Sequence, residues 1–282
     1  GKHVMCEKPL ATSVAVAQLL VAGATAAGVT AAVPFVYRYH PMVREARARV
    51  AQGDLGKLLS IQGQYLQDWL LAPDADNWSL DSRVVGPSRA FADIGSHLAD
   101  LVEFVTGERI VRLSAIKSTF DNRGGTSRAT TTEDVVAVAM QTRGGAIGTR
   151  LVSQVAPGRK NHLALEISGS SQTLGFDQEL PETLWLGRRI GSEVIPRDAQ
   201  ELSPDAARLS ILPAGHPLGY QDAFNAFVSD VYAATQGECP AGLPTFDDGL
   251  RSVSLTEAVL QSAASGIWVD LASAAISEAV AS

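Results

Sequence analysis

The chain has 282 residues, which is enough for one large domain or two smaller ones. Hydrophobic residues make up 46% and charged residues 19%, a composition that is typical of globular proteins and argues against disorder or a coiled coil. The formal charge of −7 argues against a nucleic-acid partner, because binding phosphate backbones requires a broad basic surface.

The cysteines and the apolar segments indicate the compartment. Only Cys6 and Cys239 occur, too few for a disulfide scaffold and without the spacing of a zinc site. No apolar run is long enough to cross a bilayer and the first residues lack the features of a signal peptide, so we expect a cytoplasmic protein without membrane contact. The chain begins with GKHVMCEKPLATS, without an initiator Met, and we therefore expect that part of the protein lies upstream.

The first part of the chain predicts α/β architecture. A helix over residues 14–28 is expected, because a Thr-Ser pair can cap its start and a glycine can end it. Residues 29–39 combine β-branched and aromatic side chains and predict a buried strand. A second helix is expected over residues 42–52, after a His-Pro pair and before another glycine.

From residue 57 onward the pattern changes to long strands with few helices. The segment 134–155 predicts two strands around an Arg-Gly-Gly turn, which is a strong hairpin signal. Segments 73–89 and 188–218 lack periodicity and carry Pro, Asp and Gly, so we expect loops there. Together these elements predict a mainly antiparallel sheet backed by helices. Further strands are predicted over 58–71, 162–170 and 172–177, and helices over 92–107, 220–235 and 248–268.

The tripeptide Glu7-Lys8-Pro9 follows directly on the apolar start and is the first candidate for chemistry. A lysine at a strand end can project its ammonium group into a cleft, where it serves as a proton donor or an electrostatic anchor. The tripeptide alone is more typical of a surface turn.

Asp93 and His97 form the second candidate. Residues four apart lie on one face of a helix, so an aspartate can orient the imidazole, whose ordinary pKa suits proton exchange near neutral pH. The alternative is structural: Asp93 or Ser96 caps the helix, and His97 is a satisfied buried side chain. Taken alone, the spacing favours the structural alternative slightly.

Other signals are weaker. Asp68 and three further aspartates are spread along a loop without a nearby histidine, so we expect a solvated acidic loop and no metal site. Trp69 and Trp78 flank this loop and suit a sugar ring and core packing about equally. The sequence contains no G-x-G-x-x-G turn, Walker loop or G-x-S-x-G motif.

Five segments, in register along the chain, carry a resemblance to a known family. They are GKHVMCEKPLA, YRYHP, GDLGKLLSIQGQY, ADIGSHLADLVEFVTG and DDGLRSVSLTEAVLQSAASG. In this order they resemble the Gfo/Idh/MocA oxidoreductases over nearly the whole chain. The resemblance implies an α/β fold in which residues 1–38 end a Rossmann nucleotide-binding domain and residues 39–282 form a domain for substrate and oligomerisation. It also implies a homo-oligomer, a dimer or tetramer, formed through an open sheet.

The resemblance further implies the reaction and the residues that perform it. A hydride would pass between NAD or NADP and a secondary alcohol of a sugar or polyol. Lys8 and His97 would frame the reacting carbon, with His97 as the base, Asp93 as the orienting group and Lys8 holding the hydroxyl or the cofactor ribose. Residues expected at the cofactor are Glu7, Lys8, Pro9 and Arg38, and those expected at the substrate are Tyr37, Asn77, Trp78, Asn161 and His162.

One departure from the family pattern supports a second hypothesis. Relatives carry a glycine-rich phosphate-binding turn well before the Glu-Lys-Pro tripeptide, and this sequence lacks that turn. The alternative is therefore a truncated, non-catalytic assembly module that cannot hold the cofactor by itself.

Overall fold

A nine-stranded sheet forms the centre of the structure, a computed structural model that describes residues 1–71, 85–120 and 132–271. The helices are α1 (Val14–Ala27), α2 (Pro41–Gln52), α3 (Ser96–Thr106), α4 (Pro204–Leu209), α5 (Tyr220–Thr235) and α6 (Phe246–Ser265). The strands are β1 (Val4–Met5), β2 (Ala31–Ala32), β3 (Leu58–Leu66), β4 (Ile110–Ser118), β5 (Val135–Thr142), β6 (Ile147–Ser153), β7 (His162–Gly169), β8 (Thr173–Asp177), β9 (Thr183–Arg188), β10 (Gly191–Pro196) and β11 (Val269–Asp270).

The large sheet is mixed, with the strand order β10-β9-β8-β7-β3-β6-β5-β4-β11. Within the described residues β3 and β6 are its one parallel pair, with Ser60 opposite Ile147 and Leu66 opposite Ser153. Its other neighbouring strands run antiparallel, as the sequence predicted. The predicted hairpin over residues 134–155 is confirmed as β5 and β6.

In the described part of the chain, helices cover one face of this sheet and leave the other open. α2, α3 and α6 pack on the covered face and enclose the largest hydrophobic core. The open face carries exposed apolar side chains of Ile116, Ile147 and Leu151. Leu151 and Ile116 share a face because both pair with Ala137 of β5, and Ile147 lies four positions from Leu151 on the same strand.

A smaller unit at the N-terminus consists of β1 and β2, paired in parallel, and the connecting helix α1. The predicted α1 is confirmed, since the hydroxyl of Ser13 accepts a hydrogen bond from the Val16 amide at 3.4 Å and Gly28 ends the helix in the left-handed conformation. Among the described residues, no helix combines the length and the apolar character that a bilayer crossing requires.

The strand predicted over residues 29–39 is wrong in its extent. Only Ala31–Ala32 pairs as a strand, and Val36–Tyr39 forms a 3-10 turn. Pro34 has no amide hydrogen to donate to a neighbouring strand, so regular pairing does not continue through it.

The loop predicted over residues 188–218 is also wrong in part. β10 pairs with β9 as an exposed edge strand, and the short helix α4 follows it. An edge strand that is exposed on both faces lacks the alternation of a buried strand, and a helix of six residues is too short to show a period. The loop predicted over 73–89 lies mostly outside the described residues.

Candidate active site

The site lies beside the ends of central strands of the large sheet. The parallel pairing of β3 with β6 determines which side chains meet there. Because β3 and β6 run in the same direction, Tyr65 near the end of β3 and Gln154 just after β6 reach the same edge. β7 runs antiparallel to β3, with His162 opposite Leu66, so Asn161 just before β7 arrives there as well. Three distant segments of sequence are thus brought together.

A helix supplies the two side chains with the strongest sequence signal. Phe91–Gly95 forms a π-helical turn that carries Asp93 and continues into α3, whose second residue is His97. The carboxylate of the fully buried Glu133 accepts hydrogen bonds from the Ser88 hydroxyl at 2.7 Å and from the amides of Arg89 and Phe91 at 3.1 and 3.0 Å. This carboxylate satisfies amide donors at the start of the π-helical turn, which would otherwise be unpaired.

Lys8 and Asp93, 85 residues apart in sequence, are joined directly. The Lys8 ammonium donates to Asp93 Oδ1 at 2.5 Å and to the Asp93 carbonyl at 2.8 Å, and the Lys8-Pro9 peptide bond is cis. The other carboxylate oxygen of Asp93 accepts a hydrogen bond from the Gln154 amide at 2.8 Å. The Lys8 and Asp93 side chains remain 16% and 36% exposed, so a ligand can approach this pair from solvent.

His97 lies beside this pair as a buried, neutral imidazole. Its ring meets the edges of the Tyr37 and Phe35 rings, with centroids 5.1 and 5.8 Å away. Burial and, to a smaller degree, the charge of Lys8 hold the pKa of His97 well below its usual 6.5. The expected hydrogen bond between His97 and Asp93 is not seen; the Asp93 oxygens accept hydrogen bonds from Lys8 and Gln154.

Three polar side chains form a closed hydrogen-bonded ring next to His97. Asn161 donates to Tyr37 Oη at 3.1 Å and accepts from Tyr65 Oη at 2.7 Å, and the two tyrosine oxygens lie 2.5 Å apart. Tyr37 must therefore donate to Tyr65, since Tyr65 has given its hydrogen to the amide. Burial is the main cause that raises the pKa of each tyrosine, so both stay protonated.

Sequence reasoning missed four residues of this site: Tyr65, Gln67, Gln154 and Tyr220. Gln67 donates to Asn161 at 2.9 Å, and the ring of Tyr220 lies 6.2 Å from that of Tyr37. Tyr65 and Gln67 alternate at the end of a strand, which was a usable signal, whereas nothing in the sequence reveals which strands end at the same edge.

Arg38 and His162 make contacts other than those expected of a cofactor or substrate site. The guanidinium of Arg38 is buried and pairs with Asp100 and Asp248, at 2.9 Å for Asp248, so its contacts are those of an ion pair that links α3 to α6. The ring of His162 faces Glu179 rather than Lys8. Asn77 and Trp78 lie outside the described residues.

The chain as a whole is similar to known oxidoreductases. Residues 43–175 match the GFO/IDH/MocA C-terminal domain. The chain is 36% identical to an oxidoreductase domain protein from Kribbella flavida, with a TM-score of 0.86, over 96% of this chain and 74% of that one. It is 30% identical to an inositol dehydrogenase homologue from Azotobacter vinelandii, solved in complex with NAD⁺, with a TM-score of 0.88 over 95% and 72% of the two chains. The levoglucosan dehydrogenase of Pseudarthrobacter phenanthrenivorans is 28% identical over 96% of this chain and 74% of its own length.

Proposed function

Because the chain belongs to the Gfo/Idh/MocA family of oxidoreductases, we propose that it transfers a hydride between NAD(P) and a secondary alcohol of a sugar or polyol. The observation that carries this proposal is the Lys8–Asp93 pair beside the neutral imidazole of His97. The relatives named for inositol and levoglucosan support the substrate class.

The residues at the start of the chain fit the nicotinamide end of the cofactor. Glu7, Lys8 and Pro9 follow β1, and Lys8 presents a partly exposed ammonium whose position Asp93 fixes. In this proposal residues 1–38 contribute the cofactor side and residues 39–282 the substrate side. The bound nicotinamide supplies the acceptor for the hydride that leaves the carbinol carbon.

His97 accepts the proton in this proposal. Of its two nitrogens, Nδ1 is buried without a hydrogen-bond partner in the described part of the chain, so Nε2 is the nitrogen that an entering hydroxyl can reach. As the C–H hydrogen leaves the carbinol with its electron pair, the hydroxyl proton passes to Nε2 and a ketone remains. The low pKa of His97 keeps the ring neutral, and therefore able to accept, at neutral pH.

Lys8 stabilises the oxygen during this transfer. An ammonium has three hydrogens, and two of those of Lys8 are directed at Asp93, so one remains for the substrate oxygen on which negative charge develops. Asp93 positions Lys8, and Gln154 in turn positions Asp93.

The hydrogen-bonded ring that Tyr37, Tyr65 and Asn161 form together orients the substrate. Each of its groups is already hydrogen-bonded within the ring, which fixes their directions before a ligand arrives. Remaining lone pairs and the hydroxyl of the half-exposed Tyr220 can bind the other hydroxyls of a polyol.

The test is a dehydrogenase assay over a panel of sugars and polyols with NAD⁺ and NADP⁺, read by absorbance of the reduced nicotinamide. Replacing a placed proton acceptor typically lowers the rate by about 10² to 10⁴-fold, so His97→Asn is expected to lose that much kcat with cofactor binding retained. The matched control, His216→Asn, changes an exposed histidine and is expected to keep full activity.

Two results would contradict the proposal. Full activity of His97→Asn on the preferred substrate would exclude His97 as the base. If calorimetric titration showed that the chain binds neither NAD⁺ nor NADP⁺, the alternative of a non-catalytic assembly module would be favoured.

A further inference from the structure

Three side chains with metal-ligand chemistry lie together where β7 begins and β8 ends. His162 Nδ1 is 3.0 Å from Glu179 Oε2 and 3.5 Å from Asp177 Oδ1, and ligand atoms of the three residues all lie within 4.8 Å of one another. Within the described part of the chain, none of the three contacts Lys8, Asp93 or His97. We propose that His162, Asp177 and Glu179 bind one zinc-like divalent transition-metal ion.

Two of the three distances between the ligand atoms match those of a tetrahedral zinc shell. Zinc lies about 2.0 to 2.2 Å from imidazole nitrogens and carboxylate oxygens, which places neighbouring ligand atoms of a tetrahedron roughly 3.4 Å apart. The two distances from His162 Nδ1, 3.0 and 3.5 Å, bracket that value. Small side-chain rotations therefore suffice to place the three atoms around one ion, with water as the fourth ligand.

Burial and exposure are divided as such a site requires. The His162 side chain is 7% exposed, which holds its ring in place, whereas those of Asp177 and Glu179 are 34% and 35% exposed. An ion can therefore enter from solvent on the carboxylate side and keep a water ligand there. The imidazole selects against Mg²⁺ and Ca²⁺, which prefer oxygen ligands.

Gln64 on β3 controls which nitrogen of His162 is available. Its side-chain amide lies 2.9 Å from His162 Nε2, on the side of the ring away from the carboxylates. Turning this amide by 180° exchanges its nitrogen for its oxygen, so it can accept a hydrogen bond from Nε2–H. In that tautomer Nδ1 has a free lone pair directed at Asp177 and Glu179. The other ring nitrogen, Nε2, then donates its hydrogen to an oxygen acceptor, as the second nitrogen of metal-bound histidines usually does.

The charges of the cluster also favour a cation. Asp177 and Glu179 place two carboxylates beside one imidazole, and Arg159 lies 3.7 Å from Glu179 with about half of its side chain exposed. A dication neutralises both carboxylates at closer range than this arginine does. The backbone amide of Asn161 donates to Glu179 at 3.3 Å. A bound ion would therefore also hold Asn161 in place, and with it the hydrogen-bonded ring that Asn161 forms with Tyr37 and Tyr65.

The experiment measures metal binding to the chain after chelator treatment and dialysis. Titration with Zn²⁺ by calorimetry, and with Co²⁺ by visible absorption, is expected to give one saturable site per chain. Glu179→Gln keeps the size of a partly exposed side chain and is expected to weaken binding by more than the roughly 10- to 100-fold typical of losing an outer partner. Gln64→Leu removes such an outer partner, so it should weaken Zn²⁺ binding by roughly 10- to 100-fold.

Two control variants separate this site from adventitious binding. Glu193→Gln makes the same change on an exposed edge strand, and Cys239→Ser removes an exposed thiol; both are expected to bind Zn²⁺ like the wild type. The proposal is overturned if the wild type shows no saturable Zn²⁺ or Co²⁺ site, if Glu179→Gln binds as tightly as Glu193→Gln, or if Cys239→Ser abolishes binding. Because the readout is binding and not turnover, it is independent of the dehydrogenase proposal.

Discussion

The ammonium group of Lys8 bonds Asp93 at 2.5 Å, and its charge adds to burial in lowering the pKa of His97. Removing that charge affects the pKa of His97 in two ways, and both raise it. The imidazole loses a nearby cation, and it gains the uncompensated carboxylate of Asp93 as a neighbour, so the pKa of His97 should rise.

Lys8→Met is therefore expected to change the pH profile as well as the rate. His97 must be neutral to accept a proton, so activity falls as pH decreases through its pKa. In the wild type this acid limb of kcat/KM lies below pH 6.5. In Lys8→Met the limb should move toward higher pH, while kcat falls on the order of 10²-fold or more.

Rate measurements over pH check this, together with imidazole proton resonances of His97, which report its pKa even if turnover is too slow. Lys160→Met is the matched control, since Lys160 is exposed and, within the residues that the structure describes, its ion pair is with Asp68. An unchanged pKa of His97 in Lys8→Met would show that Lys8 does not set its charge state.

At this scale the sequence predicted which residue types meet but only part of how they meet. The tripeptide and the four-residue spacing made Lys8, Asp93 and His97 candidates, and the family resemblance then favoured catalytic over structural roles for them. Gln154 could not be proposed, since a single glutamine after a strand has no signature. Its amide donates to Asp93, the residue that the sequence predicted would orient His97.

The helix that carries Asp93 and His97 depends on a carboxylate from another part of the chain. Glu133 accepts hydrogen bonds from two backbone amides and one hydroxyl before the π-helical turn, and it is completely buried. The neighbouring Arg89 is also buried, with an ion pair to Asp134 and hydrogen bonds to Thr132 and to the Glu133 carbonyl. Stability and catalysis should therefore be coupled through this one cap.

Glu133→Ala is expected to destabilise the fold by about 3 kcal/mol or more, because it leaves three buried donors unpaired. Glu133→Gln keeps an acceptor oxygen at the same place and should lose only about 1 kcal/mol. Urea unfolding measures both free energies. Equal free energies of unfolding for the two variants would show that the hydrogen bonds to the Glu133 carboxylate do not stabilise the fold.

At the scale of elements, the sequence predicted what depends on local pattern. The hairpin of β5 and β6 and the long helices α5 and α6 were confirmed because their periodicity is sustained. The parallel pairing of β3 with β6 could not be predicted, since strand order is decided by packing between distant segments. The errors at Pro34 and at β10 come from a missing amide hydrogen and from an edge strand without alternation.

Among residues 1–71, 85–120 and 132–271, one face of the large sheet is open to solvent. Ile116, Ile147 and Leu151 lie on this open face, and Ile147 is 63% exposed. Apolar side chains gathered on an open sheet commonly mark an interface. We propose that this face joins two copies of the chain.

Ile147→Glu is expected to shift the protein from oligomer to monomer, because a buried glutamate without a partner opposes association. Sedimentation velocity over a range of concentrations checks this. The matched control is Ile190→Glu, a change at a 98% exposed isoleucine in the turn between β9 and β10, which should leave the assembly intact. A monomeric wild type, or an Ile147→Glu oligomer like that of the wild type, would contradict the proposal.

The parallel pairing of β3 with β6 has a further consequence for synthesis of the protein. Tyr65 meets Asn161 across 96 residues, and Lys8 meets Asp93 across 85, so none of these groups finds its partner while only nearby segments are available. Closing such long loops lowers the conformational entropy of the chain, and local structure cannot offset this loss. In the proposed dehydrogenase, turnover is therefore expected only after β6 and the segment as far as Asn161 have left the ribosome.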